Sequence, residues 1–437
     1  MKPRIYLFVL AFATFSQSKS QEKQKIQTFY DQGQLKEEYY ILGNDSSKVD
    51  GAYAMFDLEG NTIVSGNFNS GKKQGVFKNY YTDGSLQRST NYVNNLREGL
   101  TQVFGSKGNL IQEATFENDT LVGEIKLFDE DGNIKSATTF QRGKPDGPVY
   151  SYFANGKVKE ETTYQNGKPN GPTKQYYETG NLKLEASYVD GLLDGMYKTY
   201  YLSGQLEMEV ENNRGSKSGT LKTYHENGQL KSTGIYKDGG LSGAYLAYFN
   251  NGEVMSEYAY RSGYRVGKSI DYHENGRVRV ASTYANNGQN IRIEEYSNKG
   301  DLVAKKQIEN EKPEGTWTFW EQNGKDLLLV ENYAKGQLNG LRTEYIKGKK
   351  STETNYEKGR KSGEMTLFFP GGRVSESRNY ELDRLHGDFT KYYKNGAVEY
   401  AGKYLRNKRH GLWKYYDKKG KVTEEITYQM GKEVTNQ

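Results

Sequence analysis

The sequence predicts an all-β fold: an elongated, twisted single sheet of about seventeen stacked β-hairpin repeats of 24 residues. Three observations predict it. A glycine opens a 24-residue motif at Gly51, Gly75, Gly99, Gly123, Gly147, Gly171, Gly195, Gly219, Gly243 and Gly267 without a slip. A second glycine falls at position ten of nearly every repeat, often after Asn or Asp, as in Asp83-Gly84, Asn155-Gly156 and Asn227-Gly228. Position six is aromatic throughout, from Phe56 and Tyr80 to Trp320, Tyr392 and Tyr416. Self-similarity at one fixed period is the mark of a repeat architecture.

Each part of the repeat has a physical reason. Asn-Gly and Asp-Gly mark tight hairpin turns, because these residues tolerate positive φ. Two strands, roughly positions two to seven and twelve to eighteen, flank that turn. Position twelve is mostly aliphatic (Leu86, Ile134, Val158, Leu182) and position eighteen mostly aromatic (Phe68, Tyr92, Tyr164, Tyr236). A three-residue loop ending in Gly places position six opposite position twelve. Positions six, twelve and eighteen share parity, so they are expected on one apolar face. The odd positions three and seven would then form a second, more open aromatic surface. A second Gly-containing loop, such as the one around Gly167, returns the chain to the next repeat. One hairpin cannot bury its aromatic face alone, and each copy covers its neighbour.

The array has sixteen such repeats over residues 51–437, and it is irregular at 291–362. Ile291 stands where the opening Gly is expected, and the spacings through Gly315, Gly340 and Gly363 are 25 and 23 residues. Residues 21–50 read as a degenerate N-terminal capping repeat. Residues 1–20 read as a signal peptide: Lys2 and Arg4 precede an apolar run, Ile5 to Phe15, followed by small polar residues. The run is too short to span a bilayer, and no later segment is apolar enough to do so. The expected localisation is therefore exported, in the periplasm or at the cell surface.

Composition narrows the class. Of 437 residues only 34% are hydrophobic, yet 38 are Tyr. Tyr packs its ring and keeps its hydroxyl wet, which suits a thin structure. There is no Cys, so no disulfide or thiolate chemistry is available. The formal charge of +6 falls to +3 once Lys2, Arg4 and Lys19 are removed with the leader. A balance that small does not predict nucleic-acid binding.

The copies "YFANGKVKEETTYQNGKPNG" from Tyr152 and "YYETGNLKLEASYVDGLLDG" from Tyr176 resemble the bacterial MORN-repeat variant family. The resemblance covers nearly the whole chain after about residue 27. It implies stacked β-hairpins in an elongated sheet. Some relatives carry an antitoxin-like label, and other MORN proteins act as scaffolds or associate with lipid membranes. The resemblance supplies no catalytic residue.

A search for chemistry finds little. His225 and His273 share position seven, two repeats apart, on the order of 19 Å at strand spacing. His386 and His410 share position twenty-four. Neither pair has metal-ligand spacing, and no metal or other cofactor is expected. Glu161, Glu185, Glu209 and Glu257 recur at position fifteen by register, as a solvated face does. The chain is expected not to be an enzyme. The candidate binding surface comprises aromatics at position seven (Phe153, Tyr177, Tyr201 and Phe249) and lysines at position four (Lys174, Lys198 and Lys222). The expected function is a secreted, non-enzymatic binding scaffold of the cell envelope, its partner another protein. The alternatives are an antitoxin- or immunity-like protein clasping a toxin, or a binder of envelope glycan or lipid.

Overall fold

The computed structural model describes residues 22–43 and 45–434, and the leader expected at 1–20 lies outside them. The described residues form β-strands and no α-helix, with one short 3-10 turn at Asn286–Gly288. Among the described residues no helix is long and apolar enough to cross a membrane. Every strand pairing is antiparallel, and each strand pairs with its neighbours in sequence. Thirty-four strands are longer than two residues, two for each of seventeen hairpins. Most of the two-residue strands, such as Leu192–Leu193 and Tyr264–Arg265, are the starts of strands interrupted at an opening glycine.

The chain divides into two units, the first ending at Leu192 and the second beginning at Leu193. In the first, Lys23–Phe29 and Leu35–Leu42 form the opening hairpin, so residues 21–50 contain a complete, if irregular, repeat. Lys23–Phe29 pairs on one side only, so this sheet is open. The second unit runs as the same meander to Val422–Gln429 and the short Lys432–Glu433.

The repeat at Gly147 shows the local physics. Its leading strand is Lys144–Tyr152 and its returning strand Val158–Gln165. Between them Phe153 N–H donates to the Lys157 carbonyl (2.8 Å) and Gly156 N–H to the Phe153 carbonyl (2.9 Å). This is the expected three-residue loop, closed by a glycine at φ +80°. Position six does face position twelve, as in Tyr152 opposite Val158. Asn155 itself is not left-handed. Its carboxamide oxygen instead accepts the Lys157 N–H at 3.0 Å, and its Nδ2 donates to the Glu178 carbonyl of the next loop at 3.2 Å. Asn275 and Asn395 repeat that bridge, so Asn at position nine joins successive turns.

The second loop is tighter than the sequence suggested. Asn166 and Gly167, both at positive φ, make a two-residue hairpin turn. The next strand therefore starts at Lys168, three residues ahead of Gly171. At that glycine the ladder bulges. Thr162 faces Thr173 and Tyr164 faces Pro169, so Thr163 has no partner in the next strand. Gly171 sits at φ +119°, and an added Cβ would lie 3.2 Å from the Thr163 Cβ. The opening glycine is thus the hinge of a bulge.

One expectation is corrected. Position eighteen does not share a face with six and twelve. The register slips once more just after position twelve, where Ser151 faces Glu160 while Tyr152 faces Val158. That extra residue reverses parity along the returning strand. The face that buries most carries positions three, sixteen and eighteen, and positions four, six, twelve and fifteen lie on the other. Phe77, Phe389 and Trp413 at position three are buried, not part of a more open surface. Small residues alternate with large ones along this row. Gly66 and Gly234 leave room for Phe77 and Tyr245, whose rings an added Cβ would meet at 2.5 and 2.8 Å.

Irregularities at 291–362 have three separate origins. At 286–289 the turn is longer and the bulge is absent. At 321–326 the loop gains a residue and closes through Glu321 N–H to the Asp326 carbonyl at 2.8 Å. At Lys347-Gly348 it shortens to two residues, pairing Ile346 with Lys349.

Candidate functional site

The seven residues singled out from the sequence fall on two faces, so the structure does not bring them together. Position seven follows the buried-face parity at the turn edge, and position four lies on the opposite face.

The position-seven rings brace one hairpin against the next. Tyr201 Oη donates to the Tyr224 carbonyl at 2.8 Å, and Tyr81 and Tyr393 do the same to Phe104 and Tyr416. His225 and His273 reach the equivalent carbonyls of Tyr248 and Tyr296 at 3.0 Å through Nε2. His at position seven thus replaces Tyr in a structural bond. Phe153 and Tyr177 each lie under a lysine of the same hairpin, Lys159 at 6.0 Å and Lys183 at 5.6 Å from the ring centroid. Such contacts contribute about 0.5–1 kcal/mol at exposed sites. Phe249 occupies the same slot and is half-buried. His386 Nδ1 lies 3.2 Å from the Glu381 carboxylate, and the described residues include no cluster of three or more metal-ligating side chains.

The position-four lysines are partly neutralised. Lys174 faces Glu161 at 3.8 Å and Lys222 faces Glu209 at 3.6 Å, and Lys198 is opposite Glu209 in register. The same carboxylates accept tyrosine hydroxyls from position six: Tyr176 to Glu161 at 3.3 Å and Tyr224 to Glu209 at 2.9 Å. Burial first, and the neighbouring carboxylate with it, push both phenols above their ordinary range. Lys, Glu and Tyr therefore form a ladder along this face.

Sequence reasoning missed the role of position twenty-three. Arg265 lies 3.8 Å over the Tyr258 ring and donates to Tyr284 Oη at 3.1 Å. Arg409 lies 4.3 Å over Trp413 and donates to Tyr415 and Tyr428. Arg97 and Lys73 cover Phe116 and Tyr92. Pro145 and Pro169 fill the slot elsewhere. The slot accepts any group that covers the position-eighteen ring, so its residues show no common type.

On the ladder face, position two is apolar and exposed in five repeats. Val76 and Leu100 are 47% and 45% exposed in the first unit. Met196, Leu341 and Leu412 are comparably open in the second.

The fold and its surfaces define a β-hairpin repeat protein. Seven segments, 73–94, 121–142, 145–166, 169–190, 193–211, 217–238 and 409–430, match the family described as MORN repeat variant. Seven of its repeats are thus MORN-variant repeats, which suggest a repeat-based binding scaffold. No curated protein matches it. Among solved structures it is similar to a chain of TcdB2-TccC3 without its hypervariable C-terminal region. That match has 11% identity and a TM-score of 0.16, and covers 95% of this chain and 30% of the other. A chain of the Photorhabdus luminescens Tc holotoxin pore matches at 14% identity and a TM-score of 0.14, over 92% of this chain and 23% of that one. This chain thus spans less than a third of either, and at such scores neither likeness carries an argument.

Proposed function

We propose that this chain is an exported, non-enzymatic binding scaffold of the cell envelope that presents its ladder face to another protein. The observation that carries the reading is the division of labour within the repeat. Positions three, six, seven, sixteen, eighteen and twenty-three are occupied in holding hairpins together. In five repeats position two instead holds an exposed apolar side chain: Val76, Leu100, Met196, Leu341 and Leu412. Exposed apolar side chains with a polar surround suit a protein interface. Lys198 stands beside Met196 on that face and would belong to its polar rim, and Lys174 and Lys222 hold the same position in their own repeats. Lys2, Arg4 and the Ile5–Phe15 run support export.

Photo-crosslinking tests the reading. A photoreactive residue at Leu100 in the full chain, expressed in its own cells, should give one discrete adduct in the envelope fraction. Val76→Glu should remove that adduct. An adduct with lipid or glycan would move the reading to a surface binder, and one with a toxin to an immunity role. No adduct at Leu100 or Leu412 would overturn the interface.

A further inference from the structure

The junction between residues 285 and 293 differs from the regular ones. Ala285 faces Asn290, Tyr284 faces Ile291, Thr283 faces Arg292 and Ser282 faces Ile293, with no register shift. At Gly171 the corresponding residues form a bulge that leaves Thr163 unopposed. Without a glycine at 291 the bulge is lost, and the extra residues pass into the turn around Asn286–Gly288. One result is a continuous cross-strand row on the ladder face: Lys268, Thr283, Arg292 and Gln307.

This row lies beside a gap in the ladder. Ala281 occupies position fifteen, where Glu161 and Glu209 stand in other repeats. Ala281 faces Ile270 on one side and Glu294 on the other, and its short side chain leaves a hollow of about 420 Å³ there. Its lining includes Lys268, Thr283, Arg292, Lys305 and Thr316, and one carboxylate, Glu294. Lys305 is paired with Glu294 at 3.1 Å, and Thr316 donates to Asn332 at 2.6 Å. Gln307 Nε2 is engaged by Glu309 at 2.7 Å. Lys268, Thr283 and Arg292 are exposed and, among the described residues, have no side-chain hydrogen bond or ion pair.

We propose that this hollow binds a phosphate group. Lys268 and Arg292 stand one on each side of Thr283, about 10 Å apart at strand spacing, within reach of one dianion. The Arg292 guanidinium offers a planar fork of N–H donors, Lys268 a mobile point charge, and Thr283 an O–H donor between them. The volume exceeds that of a bare ion, so the phosphate is carried on a larger group, either a soluble phosphomonoester or a lipid headgroup. The site does not depend on export or on a protein partner.

Titration calorimetry on the full chain at low ionic strength tests it, with three probes: inorganic phosphate, glucose 1-phosphate, and phosphatidylcholine vesicles containing phosphatidic acid. Saturable binding is expected that weakens as salt rises. The double variant Lys268→Gln with Arg292→Gln should lose at least tenfold in affinity, whereas Lys414→Gln, a base paired elsewhere, should not. Both substituted residues are exposed, so an unchanged circular dichroism spectrum is expected. Binding of glucose 1-phosphate assigns a soluble ligand, and binding of vesicles alone assigns a headgroup. Failure of all three probes, or equal affinity in the double variant, would overturn the site.

Discussion

Two stretches of the second unit fill the same buried row differently, one with rings alone and one with rings and ion pairs. Around 389–428 the row is aromatic: Phe389, Trp413 and Tyr428 are buried, and Tyr400 and Tyr404 pack against them. Around 306–342 the row mixes rings with charges: Trp317 and Tyr333 lie 4.9 Å apart, and Lys306, Glu331 and Arg342 stand among them, with Arg342 2.9 Å from Glu331 and Lys306 2.7 Å from Glu295. Both stretches keep the antiparallel ladder. The register is therefore what the fold requires, and the row can be closed by rings or by ion pairs. The two differ in what they cost to break. An aromatic cluster loses area and leaves a cavity. A half-open ion pair is weakened by solvent and leaves a charge that can turn outward.

The largest effect should come from the aromatic stretch. Trp413 is fully buried, and Trp413→Ala should cost about 3–5 kcal/mol. Because repeats contact mainly their neighbours, the loss should stay local. Hydrogen exchange should show lost protection near 389–430 with little change near 306–342. Uniform loss along the unit would erase the distinction between the stretches.

Glu331→Gln should cost less, about 1–2 kcal/mol, because its side chain and that of Arg342 remain 12% and 24% exposed. Urea midpoints of the two variants give the comparison directly. A Glu331→Gln penalty equal to that of Trp413→Ala would mean that the charged row is as closed as the aromatic one.

A smaller effect should appear in alkali. Burial first, and then the hydrogen bond to Glu331, push the Tyr333 phenol up to about 12. The unfolded chain gives up this proton near pH 10, before the folded one. The stabilisation is complete below about pH 10 and is lost as pH rises through about 12. The charged stretch should therefore weaken over that window, and Tyr333→Phe should reduce the loss. Equal alkaline loss in the variant would remove Tyr333 from the account.

Much of this was legible in the sequence. The 24-residue period, the hairpin count and the three-residue loop follow from Gly at one and ten and aromatics at six. The face assignment did not, because a bulge one residue beyond position twelve reverses parity and no residue type marks it. The bracing role of Tyr201 was hidden for a different reason. An exposed aromatic and one bonded to the next repeat look alike in sequence. The phosphate hollow depends on Ala281 and Ile291, whose significance appears only when the ladder shows what they replace.

The central claim is the register, and engineered cysteines test it most directly because the chain has none of its own. Thr162 and Thr173 face each other on the buried row, with hydroxyl oxygens 3.1 Å apart. Directly opposed residues in an antiparallel pair have Cα separations of about 4.5–5.5 Å, within disulfide range. Thr162→Cys with Thr173→Cys should oxidise to a disulfide in the folded full chain, detected as a mass loss of two hydrogens. Thr163→Cys with Thr173→Cys, whose side chains point to opposite faces, should stay reduced under the same conditions. A disulfide in the second pair and not the first would contradict the register, and with it every assignment of residues to faces.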